Sequence, residues 1–172
     1  MPSYDATSAE CFIFTFKEGL LSPVAHDLRL KVTRFSLQVD DARTMVSATF
    51  DAASLIVDTP MKDGAENPGA LSAADKDKIA AQIRDEVLHA RKYPEVAFRS
   101  RSLSQRPDGG YDFAGDLTLH GTTLPLNGCT RLNDRRQIVE LSLHQPDFGI
   151  TPYKAMLGTL KIQPTVRVLL TL

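Results

Sequence analysis

Apolar residues recur at every second position over most of this chain, a spacing that permits little besides an extended, sheet-forming architecture. The clearest case is "YDFAGDLTLHG", where Tyr111, Phe113, Gly115, Leu117 and Leu119 share one face against Asp112, Asp116 and Thr118. "FIFTF" sets Phe12, Phe14 and Phe16 on one face, and "HDLRLKV" sets Leu28, Leu30 and Val32 opposite Arg29 and Lys31. The parity then slips by one near Thr33–Arg34, because Phe35, Leu37 and Val39 continue the row. Val46, Ala48 and Phe50 give way to Ala53, Leu55 and Val57 in the same manner. Such a slip marks a β-bulge, which bends a strand around a curved sheet. Further strands are expected at "EVAFRSRSL", "TTLPLNG", "QIVELSLH" and "LKIQPTVRVLLTL", with "PDGG" as a turn. Pro164 in the last of these implies an edge position or a local break.

One segment has a different period. In "SAADKDKIAAQIRDEVLHARKYPE", Ser72 is a candidate N-cap with Asp75 three residues on, a relative of the capping box. Ile79, Ile83 and Val87 then form a helical stripe, and Pro94 ends the pattern. The spacing predicts one amphipathic helix over about 72–92. The fold class is therefore all-β, about eight antiparallel strands with one helix, arranged as a barrel or sandwich. A length of 172 residues fits a single domain over 1–172. A barrel of about eight strands is either packed with side chains or holds one small ligand, and patterning leaves both open.

Hydrophobic content of 42% and charged content of 24% are those of a soluble globular domain. A net charge of −1 and the lack of any Lys/Arg run argue against nucleic acid as a partner. No apolar run is long enough to span a membrane. The N-terminus "MPSYDATSAE" lacks the basic and apolar regions of a secretory signal, so a cytoplasmic address is expected. Cys11 and Cys129 make no metal spacing and are expected as two free thiols.

No catalytic constellation is readable. There is no HxH, HExxH, CxxC, Gly-x-Ser-x-Gly or phosphate-binding glycine loop, so neither metal nor cofactor is expected and an enzyme is not. By parity His120 and His144 point outward, and His89 lies off the isoleucine stripe of the helix. His26 has the parity of Leu28 and Leu30 and follows the apolar loop "GLLSPVA", so it could bond the polar end of a ligand. The inward rows supply the other candidates: Phe14, Leu28, Leu30 and Phe50 from the first half, then Phe98, Phe113, Leu117 and Leu119. These residues would line a ligand cavity or fill a core.

Four segments, in order, resemble the YceI-like family of small lipocalin-like barrels that bind polyisoprenoid or other long-chain lipids. They are "FKEGLLSPVAHDLRLKVTRFS", the Tyr93-Pro94 to Phe98-Arg99-Ser100 passage, "GDLTLHGTTLPL" from Gly115, and "DFGI" from Asp147. The resemblance runs from about Phe12 to the C-terminus. It implies a lipocalin-like barrel with the helix packed across it and a tunnel for a non-catalytically bound prenyl, quinone or acyl chain. A homodimer is compatible with it. It also gives a role to "FGITPYKAMLGTL", residues 148–160, too apolar for a solvent loop and broken by Pro152. This segment is expected to cover one barrel end, with Phe148, Ile150 and Leu157 against the chain and Tyr153 and Lys154 near its polar end. Two other readings are a packed interaction domain and an isoprenoid-directed enzyme using His26 with Tyr153 or Lys154.

Overall fold

Strands form almost wherever the alternation occurs. The computed structural model describes residues 2–19, 25–158 and 160–172. Residues 20–24 of the apolar loop before His26 lie outside the described residues. β1 (Ser3–Asp5) and β2 (Glu10–Thr15) run beside a long bent strand made of β3 (Asp27–Val32) and β4 (Phe35–Val39). β5 (Val46–Asp51) and β6 (Leu55–Lys62) return along its other side. Both bends fall at the slips in parity, one at Thr33–Arg34 and one at a 3-10 turn over Ala52–Ser54. The Thr33 hydroxyl donates to the Ser54 carbonyl (2.8 Å) and the Asp51 amide to the Arg34 carbonyl (3.0 Å), which joins the two bends.

A short β7 (Ala65–Glu66) edges β6, and the helix α1 (Ala73–Gln82) follows. β8 (Glu95–Gln105), β9 (Tyr111–Leu119), β10 (Thr122–Asn133) and β11 (Arg136–His144) make an antiparallel meander. A two-residue ribbon of β12 (Lys154–Ala155) and β13 (Leu160–Lys161) precedes β14 (Thr165–Thr171), which pairs with β11 and β2. The order of neighbours is β1-β4-β5-β8-β9-β10-β11-β14-β2-β3-β6-β7. Because β3 and β4 are pieces of one strand, and β5 and β6 of its partner, this order returns upon itself and the sheet curls. Among the described residues, twelve strands in the main sheet exceed the eight expected, because the bends split the long N-terminal strands and short edge pieces add to them.

The helix begins as expected: Ser72 Oγ accepts from the Asp75 amide at 3.1 Å while Asp75 Oδ2 accepts from the Ser72 amide at 3.4 Å, a full capping box. It ends sooner than expected. α1 gives way to a π-turn over Ile83–Val87, the Leu88 amide donates to the Ile83 carbonyl at 2.9 Å, and His89 adopts a left-handed φ of 48°. Pro94 therefore lies just before β8, beyond the point where the helix has already ended. β6 pairs with β3 and β7 but makes no ladder to β8, and α1 occupies that side. Its Ile79 and Ala80, with Ile83 of the π-turn, pack on Leu28, Leu30, Leu55 and Val57.

One row is inverted. On β2 the residues facing the interior are Cys11, Ile13 and Thr15, so Phe12 and Phe14 lie on the outer face. Arg29 stacks over Phe12 (4.8 Å to the ring centroid) and Arg167 over Phe14 (4.6 Å). Phe14 is nonetheless 8% exposed, because guanidinium groups with long apolar stems cover an aromatic ring as well as a core would.

Candidate functional site

The inward rows do not meet in the middle. They enclose a cavity of about 550 Å³, within the range of small-molecule sites. Its walls are overwhelmingly apolar, with Leu28 and Leu30 from β3, Phe98 from β8, and Phe113, Leu117 and Leu119 from β9. Ile83, Val87 and Leu88, at the π-turn, close it from the helix side. The hollow has a local cause in two glycines. A Cβ on Gly115 would lie 2.6 Å from Phe98 Cζ, and one on Gly128 2.7 Å from Phe113 Cζ. Each ring thus lies down on a glycine of a neighbouring strand, the two meeting edge to face at 5.6 Å, instead of projecting across the barrel. Gly115 admits the Phe98 ring and thereby leaves the centre of the barrel open.

The two ends differ chemically. At the end reached by segment 148–163, Ile150 and Tyr153 face the cavity, as do Leu160 and Ile162. The polar groups there carry no formal positive charge at Thr15, Gln82, Gln145 and Tyr153, and His26 lines the wall at the start of β3. The Thr15 hydroxyl is buried with no hydrogen-bond partner among the described residues. Gln145 Nε2 donates to the Gln163 carbonyl at 3.2 Å. The other end, bordered by the β4–β5 and β10–β11 turns, is lined by Arg43, Tyr111, Arg135 and Gln137. On the inner row of β2, Cys11 is 3% exposed and burial pushes its thiol up to about 12, which leaves it protonated and inert. Cys129 is exposed, and both thiols are free.

Of the residues singled out from sequence, His26, Leu28, Leu30, Phe50 and Phe98 line the cavity. So do Phe113, Leu117, Leu119, Ile150 and Tyr153. Four do not. Phe14 is on the outer face. Phe148 is buried one layer back, packed with Val87, Leu117 and Ile150. Lys154 is exposed and pairs with Lys161 across the β12–β13 ribbon. Leu157 stands at the ribbon's tip, fully exposed with a φ of 57°. The segment expected to cover one barrel end therefore does so with residues 150–153 and again from 160, while 154–158 turn away from it.

His120 also differs from its expected outward position. With a φ of 53° it folds back onto Tyr93 (centroids 4.4 Å apart) and His89 (5.4 Å). Burial holds its pKa below the usual histidine value; the hydrogen bond to the Phe148 backbone opposes this, and the charges of His89 and Lys92 add to it. His26 has no bonded carboxylate, and no group of three metal-ligating side chains converges, among the described residues. The residues that patterning overlooked are Arg43 and Arg135, hidden in polar turns, and the small inner row of β2.

The model of the YceI-like domain matches residues 5–172. The chain belongs to the YceI-like family. A UPF0312 protein of Vibrio parahaemolyticus is 35% identical over 74 residues, a stretch that is 42% of this chain and 34% of that relative's length. Two solved structures share the YceI-like fold over almost the whole of this chain. BcnA of Burkholderia cenocepacia is 16% identical, with 97% of this chain and 96% of that one covered at a TM-score of 0.64. A polyisoprenoid binding domain from Saccharophagus degradans, implicated in plant cell wall breakdown, is 17% identical, with 98% and 94% covered at a TM-score of 0.65. At these identities the likeness to the two structures is one of fold.

Proposed function

We propose that this protein binds a long apolar chain, of prenyl, quinone or acyl type, inside the barrel and carries it without chemical change. The observation that carries the reading is the continuous apolar cavity of about 550 Å³ running from the turn end to the 148–163 segment. Each methylene moved from water to such a wall contributes about 0.8 kcal/mol, so a chain of ten or more carbons supplies ample affinity even after its ordering cost. Membership of the YceI-like family supports it, as does the common fold with a polyisoprenoid binding domain. A packed interaction domain is disfavoured because Phe98 and Phe113 line the hollow instead of filling it. The test is mass spectrometry of an organic extract from protein purified without added lipid. A stoichiometric prenyl, quinone or acyl species is expected. A clean extract, together with no thermal shift on adding such chains, would end the proposal.

A further inference from the structure

The cavity's turn end carries two arginines that the fold does not require. β10 and β11 are joined by a two-residue loop, Asp134-Arg135, with Asn133 paired to Arg136. Both loop residues have positive φ, 46° and 70°, the geometry for which Asp-Gly or Asn-Gly is the least strained choice. Arginine stands where glycine would fit. The β4–β5 turn repeats the pattern, with Arg43 at a φ of 54°. The third turn at this end, between β8 and β9, uses a glycine in the ordinary way: Gly109 has a φ of 86°. There the nearby Arg106 is consumed by ion pairs to Asp108 (3.2 Å) and Asp112 (2.8 Å).

Arg43 and Arg135 are not so consumed. Neither makes an ion pair among the described residues, and both line the cavity. Asp40, on the turn of Arg43, is occupied by the Thr44 and Met45 amides at 2.7 and 2.8 Å and by the Thr44 hydroxyl at 2.9 Å. Arg43 Nη1 donates to the Tyr111 hydroxyl at 3.4 Å, which holds one guanidinium against the cavity wall. Two permanently charged forks at the mouth of an apolar cavity are matched to a carboxylate or phosphate, which each can grip through two hydrogen bonds. Both arginines are solvent-exposed at the rim, so the grip rests on this two-pronged geometry and not on a dehydrated charge.

We infer that Arg43 and Arg135 bind the anionic head, carboxylate or phosphate, of a single-chain lipid whose tail lies in the cavity. This rests on the function proposed above, and it places the polar end opposite the Tyr153 end. The test measures displacement of the neutral fluorophore N-phenyl-naphthylamine from the whole protein by two matched pairs: laurate against dodecanol, and farnesyl phosphate against farnesol. The wild type is expected to prefer each anion over its alcohol by about tenfold or more. In the variant Arg43→Gly/Arg135→Gly that preference is expected to collapse, with the loss of affinity falling mainly on the anions. Glycine suits both turn geometries, so the variant keeps its thermal midpoint or gains on it. Arg43→Lys/Arg135→Lys, which keeps charge but not the fork, is expected to fall between. Preference for one pair only identifies the head as phosphate or as carboxylate. Equal affinity for anions and alcohols in the wild type, or a preference that survives in the glycine variant, overturns the inference and leaves cavity binding intact. If neither fluorophore nor chain enters the wild type, both readings fall.

Discussion

At the residue scale, His120 links the fold to pH. Its ring is wedged between Tyr93 and His89, with Nε2 buried and unpartnered among the described residues. Burial is the main reason that its folded-state pKa lies below the usual histidine value. A histidine that binds its proton less tightly when folded contributes stability above its unfolded pKa, and that contribution is lost as pH falls through the folded value. The thermal midpoint is therefore expected to drop as pH is lowered from above 6.5. His120→Asn, compatible with the left-handed turn, should flatten that part of the profile. An unchanged slope in the variant would show that His120 is not its source.

At the scale of strands, the approach of β9 to β8 decides how hollow the barrel is. A register shift between Ser100 and Ser102 re-aims β8, and the 1%-exposed Ser100 accepts the Val46 amide at 2.7 Å beside it. A Cβ on Gly115 would meet the Arg99 carbonyl oxygen at 2.4 Å as well as the Phe98 ring. The ring can move but the backbone cannot do so cheaply, so Gly115→Ala should cost about 1–3 kcal/mol. It should also push Phe98 into the cavity and weaken chain binding. Denaturant unfolding with ligand titration checks both, and a variant of wild-type stability and affinity would refute the account. The β9 row was legible in sequence because every second residue is apolar and its opposite face is Asp and Thr. The Ser72–Asp75 cap was legible because its chemistry is local. The β2 row was not, since Phe12 and Phe14 look like core until their cross-strand partners, Lys31, Arg29 and Arg167, are known. Alternation gives two faces without saying which is inside. Arg43 and Arg135 were invisible to periodicity because turns have none, although an Asp-Arg pair in a tight hairpin loop is itself an oddity.

At the scale of the whole molecule, the cavity bears on stability as much as on function. The three apolar clusters that hold the fold together also contribute the cavity wall: Leu30 and Leu55 in one, Ala48 and Val139 in another, Leu117 and Ile150 in the third. A rigid, dry hollow of about 550 Å³ would, at the cost found for cavities in cores, be worth on the order of 10 kcal/mol. That is comparable with the whole stability of a typical domain, about 5–15 kcal/mol. An apolar occupant is thus expected to act as part of the core, and its removal to act like a large core truncation. Protein stripped of lipid by extraction on a hydrophobic resin should unfold at a lower temperature and show weaker near-UV circular dichroism as its walls relax inward. Adding back a single-chain lipid at about a hundred times its Kd should restore roughly 2.7 kcal/mol by mass action. Identical midpoints and spectra before and after stripping, with lipid loss verified by mass spectrometry, would mean that the walls hold their shape unaided and that the chain is cargo alone.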